Sequence, residues 1–133
     1  MVDWRTWVYD KLVSETAVTT LVPAPRIFST LSVDDTPDDK PFIVIRMGTD
    51  RDELAQEDEG HSAGSHECAI WVHDDPIGYT GIDAVIEAIK DSMRDVDGQD
   101  VIAARWNGDS GDLADDLRGT VVRTTNFRLV GRR

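Results

Sequence analysis

Residues 66–75 read His66-Glu67-Cys68-Ala69-Ile70-Trp71-Val72-His73-Asp74-Asp75, and they gather two histidines, the chain's single cysteine and three carboxylates. The stretch is either a metal or catalytic cluster or a β-strand with polar ends. The fold follows from the choice. As a strand with a side-chain period of two, it turns His66, Cys68, Ile70 and Val72 to one face and Glu67, Ala69, Trp71 and His73 to the other. A zinc site needs three or four ligands converging at about 2 Å. His66 and Cys68 share a face, but His73 points away. Cys68 is also in line with Ile70 and Val72, as a small buried hydrophobe would be. A metal would have to draw on His61 or a distant carboxylate. We therefore read a strand, and expect no metal, cofactor or catalytic residue.

Working outward, a turn signal at Asp74-Asp75-Pro76-Ile77-Gly78 precedes a helix capped by Thr80, with Asp83 three residues on as in a capping box. Its stripe Ile82, Val85, Ile86, Ile89 and Met93 has the helical period, and Asp97-Gly98 ends it. Upstream, Phe42-Ile43-Val44-Ile45-Arg46-Met47 is an unbroken apolar run that fits a central strand covered on both faces. Between these strands, residues 48–65 are polar and acidic without a sustained period. They read as a long loop.

At the amino end Asp3 caps a helix whose buried face is Trp4, Trp7, Val8 and Leu12. A short helical turn over 16–22 is stopped by Pro23 and Pro25, and residues 26–31 form a short strand. Downstream, residues 101–106 and 120–130 read as strands, with Val121, Phe127 and Leu129 on one face. Asn107 to Gly119 forms a second acidic loop between them. These elements predict one α+β domain over residues 1–133: a mostly antiparallel sheet of four to five strands with two main helices packed on one face.

Composition narrows function. A chain of 133 residues is long enough to bury one core without staples, and one cysteine makes no internal bridge, which points to a reducing compartment. No apolar run approaches the ~18 residues of a membrane span, so the chain is expected to be soluble and unprocessed, with no membrane partner. The net charge of −12 opposes a large phosphate-binding footprint. It is unevenly spread. Residues 117–133 hold five arginines and no acid, so the first 116 carry −17. A solvated acidic surface explains this, as does a basic edge that docks on a neighbour's acidic face. Paired aspartates such as Asp34-Asp35 and Asp115-Asp116 lie in polar loops and suit solvation better than acid/base work. No phosphate-cradling glycine motif, nucleophile elbow or EF-hand spacing is present.

The order of the parts carries a further signal. An amino-terminal helix, "VSETAVTTLVPAPRIF", a proline followed by "FIVIRMG", then "HECAIWVHDD", "GIDAVIEAIKDSM" and a terminal "TVVRTTNFRLVGR" resemble the tail terminator, or tail completion, proteins of long-tailed bacteriophages and related viruses. The resemblance implies a non-catalytic virion protein that forms a six-fold ring at the head-proximal end of the tail. There it would end tube growth and offer a surface for head–tail joining. Implied partners are further copies of itself, the tail tube protein and the head–tail connector or neck protein, with DNA passing through the lumen without specific binding. Implied locations are the virion tail, and the host cytoplasm during assembly. Another neck or adaptor protein of the same fold is the nearest alternative, followed by a small metal-dependent enzyme using His66, Cys68 and nearby carboxylates.

A ring with different left and right faces can carry complementary charge on one chain. Candidate interface residues are therefore Arg128 and Arg132, facing acidic loop residues Asp52, Glu53, Glu57, Asp58, Glu59, Asp112, Asp115 and Asp116 of the next subunit. Strand alternation puts Arg123 and Arg128 on opposite faces. The two long loops are expected to order against the tube or connector.

Overall fold

A computed structural model describes residues 3–32, 35–52, 63–76, 79–94, 96 and 101–132. Helix α1 spans Trp4–Ser14 and starts where the Asp3 carboxylate accepts a hydrogen bond from the Thr6 amide, as its sequence position predicts. It buries Val8 and Leu12 completely. A short α2, Thr16–Thr19, and a 3₁₀ turn, Ala24–Arg26, lead into β1, which is only Ile27–Phe28. The strand expected over 26–31 is thus cut short, because Arg26 belongs to the proline-initiated turn and pairing with β2 stops after Phe28.

The next two strands, β2 (Phe42–Asp52) and β3 (Ala63–Asp74), form a long antiparallel pair. Much of the expected loop over 48–65 is therefore strand, and only residues 53–62 separate the two. Apolar periodicity missed it because backbone pairing, with a register shift between Met47 and Asp50, carries the hairpin through polar residues.

Helix α3, Tyr79–Arg94, follows. Thr80 lies inside it rather than capping it, and the expected stop at Asp97-Gly98 falls outside the described residues. The whole predicted stripe, Ile82, Val85, Ile86, Ile89 and Met93, is buried. Strand β4 runs Val101–Asp109, β5 Leu113–Asp115 and β6 Thr120–Arg132, so the second expected loop is interrupted by β5. A left-handed Gly119, at φ 64°, turns the chain from β5 into β6.

The sheet has six strands in the order β1-β2-β3-β6-β4, with β5 on the remaining length of β6. All pairs are antiparallel except the two-residue β1–β2 pair. The helices cover one face, where Ile43, Ile45, Cys68, Ile70, Val72, Val121, Phe127 and Leu129 meet the α1 and α3 stripes in one core. The architecture is the α+β sandwich the patterning predicts, with more strands. β6 lies inside the sheet, between β3 and β4. The basic carboxy-terminal segment therefore presents its side chains on the two faces of the sheet rather than a free strand edge.

Candidate functional site

The stretch from His66 to Asp75 divides between the two sheet faces as its alternation requires. Cys68 is buried under the helices with Ile70 and Val72, and burial pushes its thiol up to about 12. A thiol held so firmly protonated is a poor nucleophile. The His66 ring lies 5.9 Å from that of Trp4 on α1. His73 is on the opposite face, stacked on Phe42 at 4.4 Å, with Nδ1 2.9 Å from the Thr120 hydroxyl. The three side chains cannot share one ion. Among the described residues no three His, Cys, Asp or Glu side chains converge as a metal cluster, and His61 lies outside them.

Around His73 the helix-free face has a small second core. Asp115 Oδ2 is 3.9 Å from His73 Nδ1 and accepts from Arg118 Nη1 at 3.0 Å. Arg118, almost fully buried, also donates to the carbonyls of Asp35 and Ser32 at 2.9 and 3.0 Å, tying the acidic loop before β2 to the β5–β6 turn. Desolvation drives the His73 imidazole down to about 4; the Asp115 carboxylate opposes this, while Arg118 and Arg46 reinforce it.

The central part of the same face is open. A groove of about 320 Å³ is lined by Arg46, Glu67, Ala69, Trp71, Asn107 and Asn126, among others. The Arg46 guanidinium stands 5.4 Å above the Trp71 ring. In the adjoining row the backbone register aligns Glu67, Arg128 and Arg105 across β3, β6 and β4. Three arginines thus gather on one face of a chain with a net charge of −12. Several exposed acids stand at the end of the sheet where β2 begins and β3 finishes, namely Asp35, Asp38, Asp39, Asp75, Asp112 and Asp116, and others, such as Asp10, Asp83, Glu87 and Asp91, lie on the helices.

The candidate interface residues are scattered over this frame. Arg128 is on the helix-free face, in register with Glu67, and Arg132 pairs with Ala63 at the far end of β6. Asp52 pairs with Gly64 at the hairpin end, while Glu53, Glu57, Asp58 and Glu59 lie outside the described residues. Asp115 is engaged by Arg118 within the chain. Asp112 is exposed, 3.6 Å from Arg123 Nε, and Asp116 is exposed in the turn. Arg123 pairs with Asp83 of α3, on the face opposite Arg128, as the alternation requires.

Sequence reasoning overlooked Arg46, Arg105 and the latch formed by Arg118. The first was within reach, since alternation from buried Ile45 turns Arg46 outward. Arg105 was not, because only the β4–β6 register shows that it stands beside Arg128.

This geometry belongs to a fold seen elsewhere. A chain of the virion of a native gene transfer agent (GTA) particle is similar to this one with a TM-score of 0.74, over 97% of this chain and 94% of that one. The fold is shared with a virion chain. Sequence identity is only 16%, so the likeness is one of architecture. No protein-family model and no curated protein matches the sequence.

Proposed function

We propose that this chain is a structural virion protein that sits as a ring on the head-proximal end of a viral tail tube, ends tube growth and presents the surface for head–tail joining. The observation that carries this is the near full-length likeness to a chain of a virion particle, which covers 97% of this chain and 94% of that one. It agrees with the independent resemblance in sequence order to tail terminators. The chemistry of the chain fits a role without catalysis: Cys68 is buried and protonated, His73 is neutral and stacked, and the described histidines and cysteine diverge.

In this reading the partners are further copies of the chain, the tail tube protein and the connector or neck protein. Arg128 and Arg132 face a neighbour's carboxylates, and the acidic end keeps DNA phosphates from sticking as they pass. The ring contains six copies, in the virion and, during assembly, in the host cytoplasm.

Inactivating the gene in the virus that encodes the protein tests the role. Headless tails with tubes of uncontrolled length are expected. Tubes of normal length that fail to join heads would assign the protein to the neck or adaptor class instead, and normal virions would overturn the proposal.

A further inference from the structure

Two surface features of the chain bear on how copies could meet: an exposed apolar turn and a groove flanked by arginine. Leu117 is 70% exposed, the most exposed large apolar side chain among the described residues, and it stands on the β5–β6 turn beside Asp116. The turn is held rigidly from behind, because the Arg118 amide and guanidinium both bind Asp115. An apolar tip with an adjacent carboxylate on a fixed support is pre-organised to dock.

The groove around Trp71 offers what that tip lacks. Ala69, Trp71, Arg46 and Glu67 line it, and the β4–β6 register puts Arg105 in the adjoining row of the same face. The Trp71 ring offers an apolar wall to an incoming side chain, while its Nε1 is buried beneath the surface. The described residues leave both Leu117 and the groove uncovered.

We infer that the Leu117 turn of one copy docks in the Trp71 groove of a second copy of this chain, with Asp116 meeting Arg46 or Arg105. The inference rests on the ring reading and supplies its contact. Knob and groove are different parts of one chain, so the contact is heterologous: each copy uses one of each, and the series closes into a ring when the rotation per step allows. Charge on both sides sets the register and speeds encounter.

The test uses the full chain with photoreactive benzoylphenylalanine installed in place of Leu117, irradiated and mapped by peptide mass spectrometry, alongside the stoichiometry of the unmodified protein. Adducts on the Ala69–Trp71 or Arg105–Asn107 stretch of another copy are expected. Leu117→Asp, with an unchanged thermal melt, should weaken self-association at least about tenfold. Mixing it with Arg105→Glu should give pairs that stop at dimers, each holding one intact knob on one intact groove. Adducts on other surfaces of a six-membered assembly would overturn the docking and leave the ring standing. No adduct between copies, even near millimolar protein, would overturn the docking whatever the stoichiometry. A single-stranded oligonucleotide that binds the face and is released by Arg105→Glu, without adducts between copies, would assign the face to nucleic acid and overturn it as well.

Discussion

At the scale of single residues, His73 shows how little residue type says about role. A histidine near a cysteine and acids invites a chemical reading, yet its neighbours hold it neutral. Its ring is stacked on Phe42 and enclosed by Asp115 of β5, Arg118 of the turn and Arg46 of β2, with almost no exposure. The consequence for stability has a definite sign. The folded value of about 4 lies below the ordinary 6.5, so above pH 6.5 neither state carries the proton, and below it the unfolded chain binds one first. Stability from His73 is therefore complete above pH 6.5 and is lost as pH falls toward 4, by on the order of 3 kcal/mol. Asp115 and Asp109, both held below the ordinary carboxylate range, add their losses only at lower pH. Urea denaturation across this range should show the slope, and His73→Leu should flatten the part between 6.5 and 4. A slope unchanged by the substitution would reject the assignment.

Legibility at this scale was uneven. Cys68 could be placed by alternation alone, since a strand with Ile70 and Val72 on one face has no freedom to turn Cys68 elsewhere. Arg118 could not. Counted with the basic carboxy-terminal segment, it is in fact a buried latch whose acceptors, Ser32 and Asp35, are more than eighty residues away in sequence. No local pattern encodes such a partner.

Among the elements, the helices were readable because their stripes repeat against a core that demands them. Ile89 is fully buried at the centre of the α3 stripe, so Ile89→Ala should cost about 2–5 kcal/mol in unfolding free energy. Glu87, exposed on the same helix and paired with Lys90, should cost no more than about 0.5 kcal/mol when changed to Ala. Comparable losses at both sites would mean that α3 does not pack as described. The strands were harder to bound. The backbone of Asp50, Arg51 and Asp52 pairs with that of His66, Ser65 and Gly64 in a polar stretch of sequence, and Leu113–Asp115 pairs with β6 for three residues. In both cases the ladder hydrogen bonds define the strand, and they leave no apolar trace in the sequence. The same limit hid the alignment of Glu67, Arg128 and Arg105, which exists only once β6 is known to lie between β3 and β4.

Across the whole molecule charge is partly separated. The helix-free face collects Arg46, Arg105 and Arg128 around Glu67, and a group of exposed aspartates stands at one end of the sheet while others lie on the helices. That separation was half visible, since the basic carboxy-terminal run was plain in the sequence, but its division between two faces and a buried latch follows from the strand alternation and the turn. If the faces meet between subunits, association is partly electrostatic and weakens as salt screens it. Arg128→Glu should therefore lower the assembled fraction at 0.1 M salt and reduce the salt dependence of what remains, as read by sedimentation. Ring stability unaffected by either the substitution or salt would remove charge from the account.

The central claim is that this is a ring-forming structural protein, and native mass spectrometry across protein concentration and salt tests it most directly, because one spectrum reports stoichiometry and bound metal together. The account predicts an assembly of six copies with the mass of protein alone. A monomer carrying one zinc ion would contradict it and return residues 66–75 to the chemical reading they first suggest.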